Sequence, residues 1–237
     1  APRGMKWIEN DRVRLLLGPE GSHLYRWEVK GLSGRDVTEP GETGWAGFGD
    51  LASHRGASYR LACLASGPAL VRYQCTESEG NVKTISVYGG AGWGETVFNE
   101  SVAAFWNFDN TDNFAADGPN PGTYLFSTGV SGPVGKRADG VAAQVEAPGA
   151  FWGVKFNKAR LAVGMITPET AALHHVAPGS GAGGVGIEHS TPANHFVSYA
   201  DVLEGDPAEA MNRLRATLDL RQQPEVTVYG IQGRNRQ

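Results

Sequence analysis

Between residues 59 and 166 the chain is a succession of short apolar segments separated by glycine, proline or asparagine. That punctuation constrains the fold more than any other feature. Strands are expected at 59–65, 69–76, 82–88, 96–106, 123–128, 141–146, 151–156 and 160–166. Many short strands with such turns argue for a sandwich or barrel and against repeated βαβ units. The 33 glycines and 13 prolines among 237 residues agree, because both residue types punctuate strands and are scarce in helices. The fold class expected is an all-β, mostly antiparallel β-sandwich of supersandwich type with one short C-terminal helix. A sandwich of this length is commonly one domain, so residues 1–237 are read as a single domain.

The two ends of the chain supply the remaining elements. Trp7 to Asp11 and the following VRLLLGP read as two short strands around an Asn10-Asp11 turn. His23 to Lys30 is a third strand, Ser33 to Asp36 a hairpin-like turn, and 39–58 a long glycine-rich loop. Ala171 to Gly186 is glycine-rich but lacks the Lys-Ser/Thr ending of a phosphate loop, so its glycines serve flexibility or turns. His195 to Tyr199 is a short strand and Glu225 to Ile231 a last one. Asp206, Pro207 and Glu209 fit the N-cap, N1 and N3 positions of a helix whose apolar face is Met211, Leu214 and Leu218.

Charge and hydropathy narrow the partners. The net charge is −4 and the basic residues are dispersed, so no basic stripe meets nucleic acid. No apolar run approaches the length that crosses a bilayer, so no membrane partner is expected. Cys63 and Cys75 flank the Gly67-Pro68 turn, and either a hairpin disulfide or free thiols fit that placement. Export, to a secreted or periplasmic location, is expected whichever holds.

The segment Tyr88 to Phe114 carries the chemistry. It joins Trp93 and Trp106 to Glu95 and a run of Asp and Asn. Aromatic rings cover the C–H face of a pyranose while carboxylates and amides take up its hydroxyls. Trp45 and Trp93 sit among glycines and small residues, where a bulky ring has less core to fill, so they are the expected platforms. Asp50, His54 and Arg55 lie in the loop of Trp45 and add directional hydrogen bonds, and Trp106 is a further candidate for ligand contact, although part of its stretch belongs to the core. Asp109, Asp112 and Asp117 offer hard oxygen ligands that suit calcium, although Asx-turns have the same composition and the EF-hand spacing is absent. No other cofactor is expected. The histidines do not show zinc spacing, and no GxSxG nucleophile motif occurs.

Asn10, the apolar strand after it, Pro19, Gly21, a strand ending near Gly31, and Gly34-Arg35-Asp36 resemble the first sheet of the galactose-mutarotase-like β-sandwich superfamily. Gly67-Pro68 followed by LVRYQC is similar to the same group, and the likeness runs over about residues 1–130. The superfamily includes aldose epimerases, domains of glycoside hydrolases and polysaccharide lyases, and non-catalytic sugar-binding domains. The resemblance implies a catalytic histidine and a carboxylate base in a concave sheet. In chain order His189 or His195 with Glu188 match it most nearly. The residues around them do not reproduce the epimerase pattern. The expected function is therefore a carbohydrate-binding domain, part of or accessory to polysaccharide degradation, with an oligo- or polysaccharide as partner. The alternative is a sugar-active enzyme, epimerase, lyase or hydrolase, using a His/Glu pair near 188–195.

Overall fold

A computed structural model describes residues 6–17, 24–32, 35–36, 47–50, 59–77, 80–108, 122–134, 141–145, 149–156, 160–169, 172–178, 185–202 and 206–221. Its strands are β1 (Lys6–Glu9), β2 (Val13–Leu17), β3 (Leu24–Val29), β4 (Arg35–Asp36), β5 (Gly47–Asp50), β6 (Tyr59–Ser66), β7 (Leu70–Glu77) and β8 (Val82–Tyr88). They continue with β9 (Trp93–Phe108), β10 (Gly122–Phe126), β11 (Ser131–Val134), β12 (Val141–Val145), β13 (Ala150–Phe156), β14 (Leu161–Thr167), β15 (Ala172–Pro178) and β16 (Val185–Val202). One helix, α1 (Pro207–Arg221), follows.

Two long strands organise the rest. β9 has 16 residues and β16 has 18, and they pair antiparallel over both halves, with register shifts between His189 and Ala193 and between Ala193 and His195. Irregularities of this kind let one strand pass from one layer of a sandwich to the other. On one side of the shifts, β9 pairs with β8 and β16 with β14, giving a first layer β6-β7-β8-β9-β16-β14-β13-β10-β11. On the other side, β9 pairs with β5 and β16 with β15, giving a second layer β1-β2-β3-β5-β9-β16-β15-β12. All pairings are antiparallel, so the fold is the all-β sandwich expected from the turn pattern.

The core lies between the layers. Ile8, Leu15 and Trp27 from the second layer cluster with Ile85, Trp152, Val163 and Phe196 from the first. A smaller cluster lies on the outer face of the first layer. There Met211, Leu214 and Leu218 of α1 cover Phe151, Ile166 and Val197. Asp206 caps α1, its Oδ1 accepting from the Ala208 N–H at 2.9 Å, as the Asp-Pro-x-Glu start requires. Gly164 on β14 makes room for the helix, since a Cβ there would lie 2.7 Å from the Met211 Sδ.

Three readings of the sequence are corrected. The loop assigned to 39–58 contains β5, whose sequence GFGD has a single apolar side chain and becomes a strand by pairing with β9. The flexible segment assigned to 171–186 contains β15, and the short strand 195–199 is part of the much longer β16. Strands whose limits are set by tertiary pairing, and whose own sequence shows little apolar alternation, leave sequence reasoning little to detect. The strand expected at Glu225 to Ile231 lies outside the described residues.

The cysteines are free. β6 and β7 form the expected hairpin, but Cys63 faces Tyr73 and Cys75 faces Leu61, so the two thiols are offset along the ladder. Burial pushes the Cys75 thiol up, against an opposing pull from Lys83 across the next strand. A raised folded-state value makes stability complete below the ordinary thiol pKa of about 8.5 and erodes it as pH climbs towards the folded value. At pH 8 a thiol reagent is expected to modify exposed Cys63 alone, with Cys75 reacting only after denaturation. Equal rates for both thiols in the native protein contradict this.

Candidate functional site

Directly paired residues in an antiparallel ladder project to the same side, and alternate residues project to opposite sides. Ile85, Val87, Phe98 and Phe196 are buried in the sandwich core, so their neighbours project outward from the first layer. The register Arg72↔Ser86↔Glu95↔Val197 forms one outward row, and Leu70↔Tyr88 lies beside it. Trp93 pairs with Tyr199, and Val97 with His195.

This outward face is only partly covered. Helix α1 lies over β13, β14 and the Val197 position of β16. Among the described residues the helix does not extend over β7, β8 and β9, and Val97, on an interior strand, remains 39% exposed. An apolar side chain exposed at the centre of a sheet marks a surface left uncovered by the fold.

The polar groups there are ordered by one another. The Tyr88 hydroxyl donates to Glu95 Oε2 at 2.5 Å, and the Tyr88 and Trp93 ring centroids are 4.7 Å apart at 34°. Trp93 also packs against the cluster beneath α1, which helps to fix the indole. Arg72 donates from Nε to Ser86 Oγ at 2.8 Å, which holds the plane of its guanidinium over the face. At the neighbouring position, His195 Nδ1 lies 3.7 Å from Glu169 Oε1, and its Nε2 is buried without a hydrogen-bond partner.

The turn that carries Tyr88 and Trp93 is fastened from the opposite layer. Asn10 Nδ2 donates to the Tyr88 and Ala91 carbonyls at 2.7 and 2.8 Å. Asn10 Oδ1 accepts from the N–H groups of Arg12 and Val13, both at 2.7 Å. Asp11 Oδ1 accepts from Gly90 N–H at 2.9 Å, and Ala200 N–H donates to the Gly92 carbonyl at 2.8 Å. Gly90 has φ +72, a conformation that favours glycine at this turn.

Of the residues singled out from the sequence, the fold brings Trp93, Glu95 and His195 to this one face. Trp93 opens strand β9 and stacks on Tyr88, where a glycine loop was expected to present it. Asp50 and Trp106 occur on β5 and β9 in the second layer, at the pairs Asp50↔Ala104 and Phe48↔Trp106. Glu188 and His189 occupy the second-layer half of β16, beyond the register shifts that separate them from His195. The carboxylate beside His195 is Glu169. Trp45, His54, Arg55, Asp109, Asp112 and Asp117 lie outside the described residues. Among the described residues no group of three or more His, Cys, Asp or Glu could hold a metal ion. Arg72, Tyr88 and Glu169 were missed. The alternation Val71-Arg72-Tyr73 already sets Arg72 on the face away from its neighbours, but only the register shows that Glu95 shares it.

Comparison with solved structures identifies the fold. A galactose mutarotase-related enzyme from Lactobacillus acidophilus superposes with a TM-score of 0.60 at 9% identity, over 84% of this chain and 99% of that one. A galactose mutarotase-like protein from Lactobacillus casei ATCC 334 superposes with a TM-score of 0.56 at 9% identity, over 84% of this chain and 100% of that one. The fold is galactose mutarotase-like. No family model and no curated protein sequence matches the chain. At 9% identity the likeness establishes the mutarotase-like architecture, and the site must be argued from this chain's own residues.

Proposed function

We propose that this protein binds a carbohydrate on the open outer face of its first layer, at Arg72, Tyr88, Trp93 and Glu95. The observation that carries the reading is the Tyr88–Glu95–Trp93 arrangement, in which a carboxylate is held at 2.5 Å by a phenol whose ring lies against an indole. Such a group offers an apolar surface and aimed acceptors together, as a sugar ring requires. Arg72 adds a donor fork oriented by Ser86. The likeness in fold to a galactose mutarotase-related enzyme and a galactose mutarotase-like protein supports a sugar as ligand.

The test is calorimetry or ligand-observed NMR with a panel that includes galactose and glucose. Glu95→Gln and Arg72→Ala are each expected to weaken binding about tenfold, the equivalent of about 1.4 kcal/mol. Unchanged affinity in both variants eliminates this face as the site.

His195 favours a second reading, sugar-active chemistry of the aldose epimerase type. A histidine with one nitrogen near a carboxylate and the other buried and unpartnered resembles an oriented proton-transfer group. On this reading Glu95 takes the proton of the anomeric hydroxyl and a protonated His195 gives one to the ring oxygen, so that the C1–O5 bond breaks and the open-chain aldehyde closes again to either anomer. Polarimetry of freshly dissolved α-D-galactose and α-D-glucose then shows accelerated mutarotation, and His195→Gln slows it about a hundredfold. No acceleration by the wild-type protein leaves binding alone.

A further inference from the structure

The β8–β9 turn that carries Tyr88 and Trp93 has a second side. Gly89 and Gly90 form one wall of a cleft of about 400 Å³ at the end of the sandwich. Its other walls come from Glu9 and Asp11 in the β1–β2 turn and from Gly67, Pro68 and Leu70 around the β6–β7 turn. Ligand pockets usually occupy about 300–1,000 Å³, so this volume suits one small unit.

Its chemistry is one-sided. Asn10 lines the cleft, but its amide is fully engaged by the four bonds that fasten the turn. Asp11 uses Oδ1 on Gly90 N–H, and Glu9 uses Oε2 on Lys30 at 3.0 Å. The second oxygen of each carboxylate remains as an acceptor. Pro68, Leu70, Val71 and Val87 supply apolar surface between them. Acceptors around an apolar floor suit a group with several hydroxyl donors and a C–H face. Leu70 is also the ladder partner of Tyr88, so the cleft and the aromatic site meet along β7 and β8.

We propose that the cleft is a second sugar subsite, so that the ligand is an oligosaccharide that spans the β8–β9 turn. This rests on the outer face being the primary sugar site. One unit lies at Tyr88, Trp93 and Glu95. The next passes the turn and offers its hydroxyls to Asp11 and Glu9.

The experiment compares calorimetric affinities for galactose and glucose with those for lactose, cellobiose and cellotriose. The longer sugars are expected to bind about tenfold more tightly than the monosaccharides. Gly67 lines the cleft and a Cβ there meets no atom within 4 Å, so Gly67→Leu is accommodated by the fold and adds bulk at the cleft wall. In Gly67→Leu the gain disappears while monosaccharide affinity stays within about twofold of wild type. Asp11→Asn keeps an oxygen for the Gly90 N–H and is expected to lose part of the gain; thermal melts of both variants check the fold. Equal affinity of wild type for short and long sugars overturns the second subsite, as does a gain retained in Gly67→Leu. Monosaccharide binding that survives Glu95→Gln and Arg72→Ala removes the primary site instead. If none of the five sugars binds the wild-type protein, both readings fall.

Discussion

Asn10→Ala is expected to destabilise the protein by about 3 kcal/mol and to loosen the turn that carries Tyr88 and Trp93. The Asn10 side chain makes four hydrogen bonds, two within its own turn and two to the Tyr88 and Ala91 carbonyls. Net values near 1 kcal/mol per bond set the scale, and partial burial lets water recover some of the loss. The effect does not stop at stability. Tyr88 and Trp93 begin and end the segment that Asn10 fastens, so their 4.7 Å ring contact and the bond to Glu95 depend on it. Asn10→Asp separates the two halves of the role. It keeps the oxygen that accepts from Arg12 and Val13, and sets a carboxylate against two carbonyls. It is expected to cost at least as much as alanine. Chemical denaturation of both variants measures the stability, and near-ultraviolet circular dichroism follows the aromatic pair. An Asn10→Ala loss below about 1 kcal/mol means that the amide does not fasten the layers.

The difference between what the sequence disclosed and what it hid has a physical basis. The hairpins from 59 to 88 were legible to within a residue or two, because their strands alternate and Gly67-Pro68 marks the turn. The N-terminal pair around Asn10 and the cap of α1 were legible for the same reason: local chemistry determines them. The extents of β9 and β16 were not legible. Their length arises from pairing with each other across two layers, and the interruptions between His189 and His195 break any simple period. The site suffered in proportion. Glu95 and Trp93 stood out by composition, but their true neighbours, Arg72 and Tyr88, come from register. The carboxylate near His195 is Glu169, just past the end of β14, whereas Glu188 lies on the second-layer half of β16 beyond the register shifts. Nothing short of the strand order could have chosen between those two carboxylates.

The second large effect is expected at the ion pair beneath the same turn. Asp201 has a side-chain exposure of only 5%, and its Oδ2 accepts from Arg12 Nε at 3.0 Å and Nη2 at 2.7 Å. Its Oδ1 accepts from the Val202 N–H at 2.8 Å. Arg12 is 38% exposed, so water can reach the cation but scarcely the anion. Arg12→Ala therefore leaves a carboxylate in a site that excludes its solvent, at a cost of about 3 kcal/mol. Asp201 also packs on Gly92, where a Cβ would come within 2.4 Å of its Oδ2, and Gly92 directly precedes Trp93. Loss of the arginine thus reaches the indole through one residue of backbone. Neutralising the anion should return part of the stability: Arg12→Ala with Asp201→Asn is expected to be about 1–2 kcal/mol less damaging than the sum of the single variants. Denaturation curves for the four proteins of this cycle give the coupling. Strict additivity would show that Arg12 and Asp201 do not act as a pair, and that the turn under Trp93 is held by Asn10 and Asp11 without them.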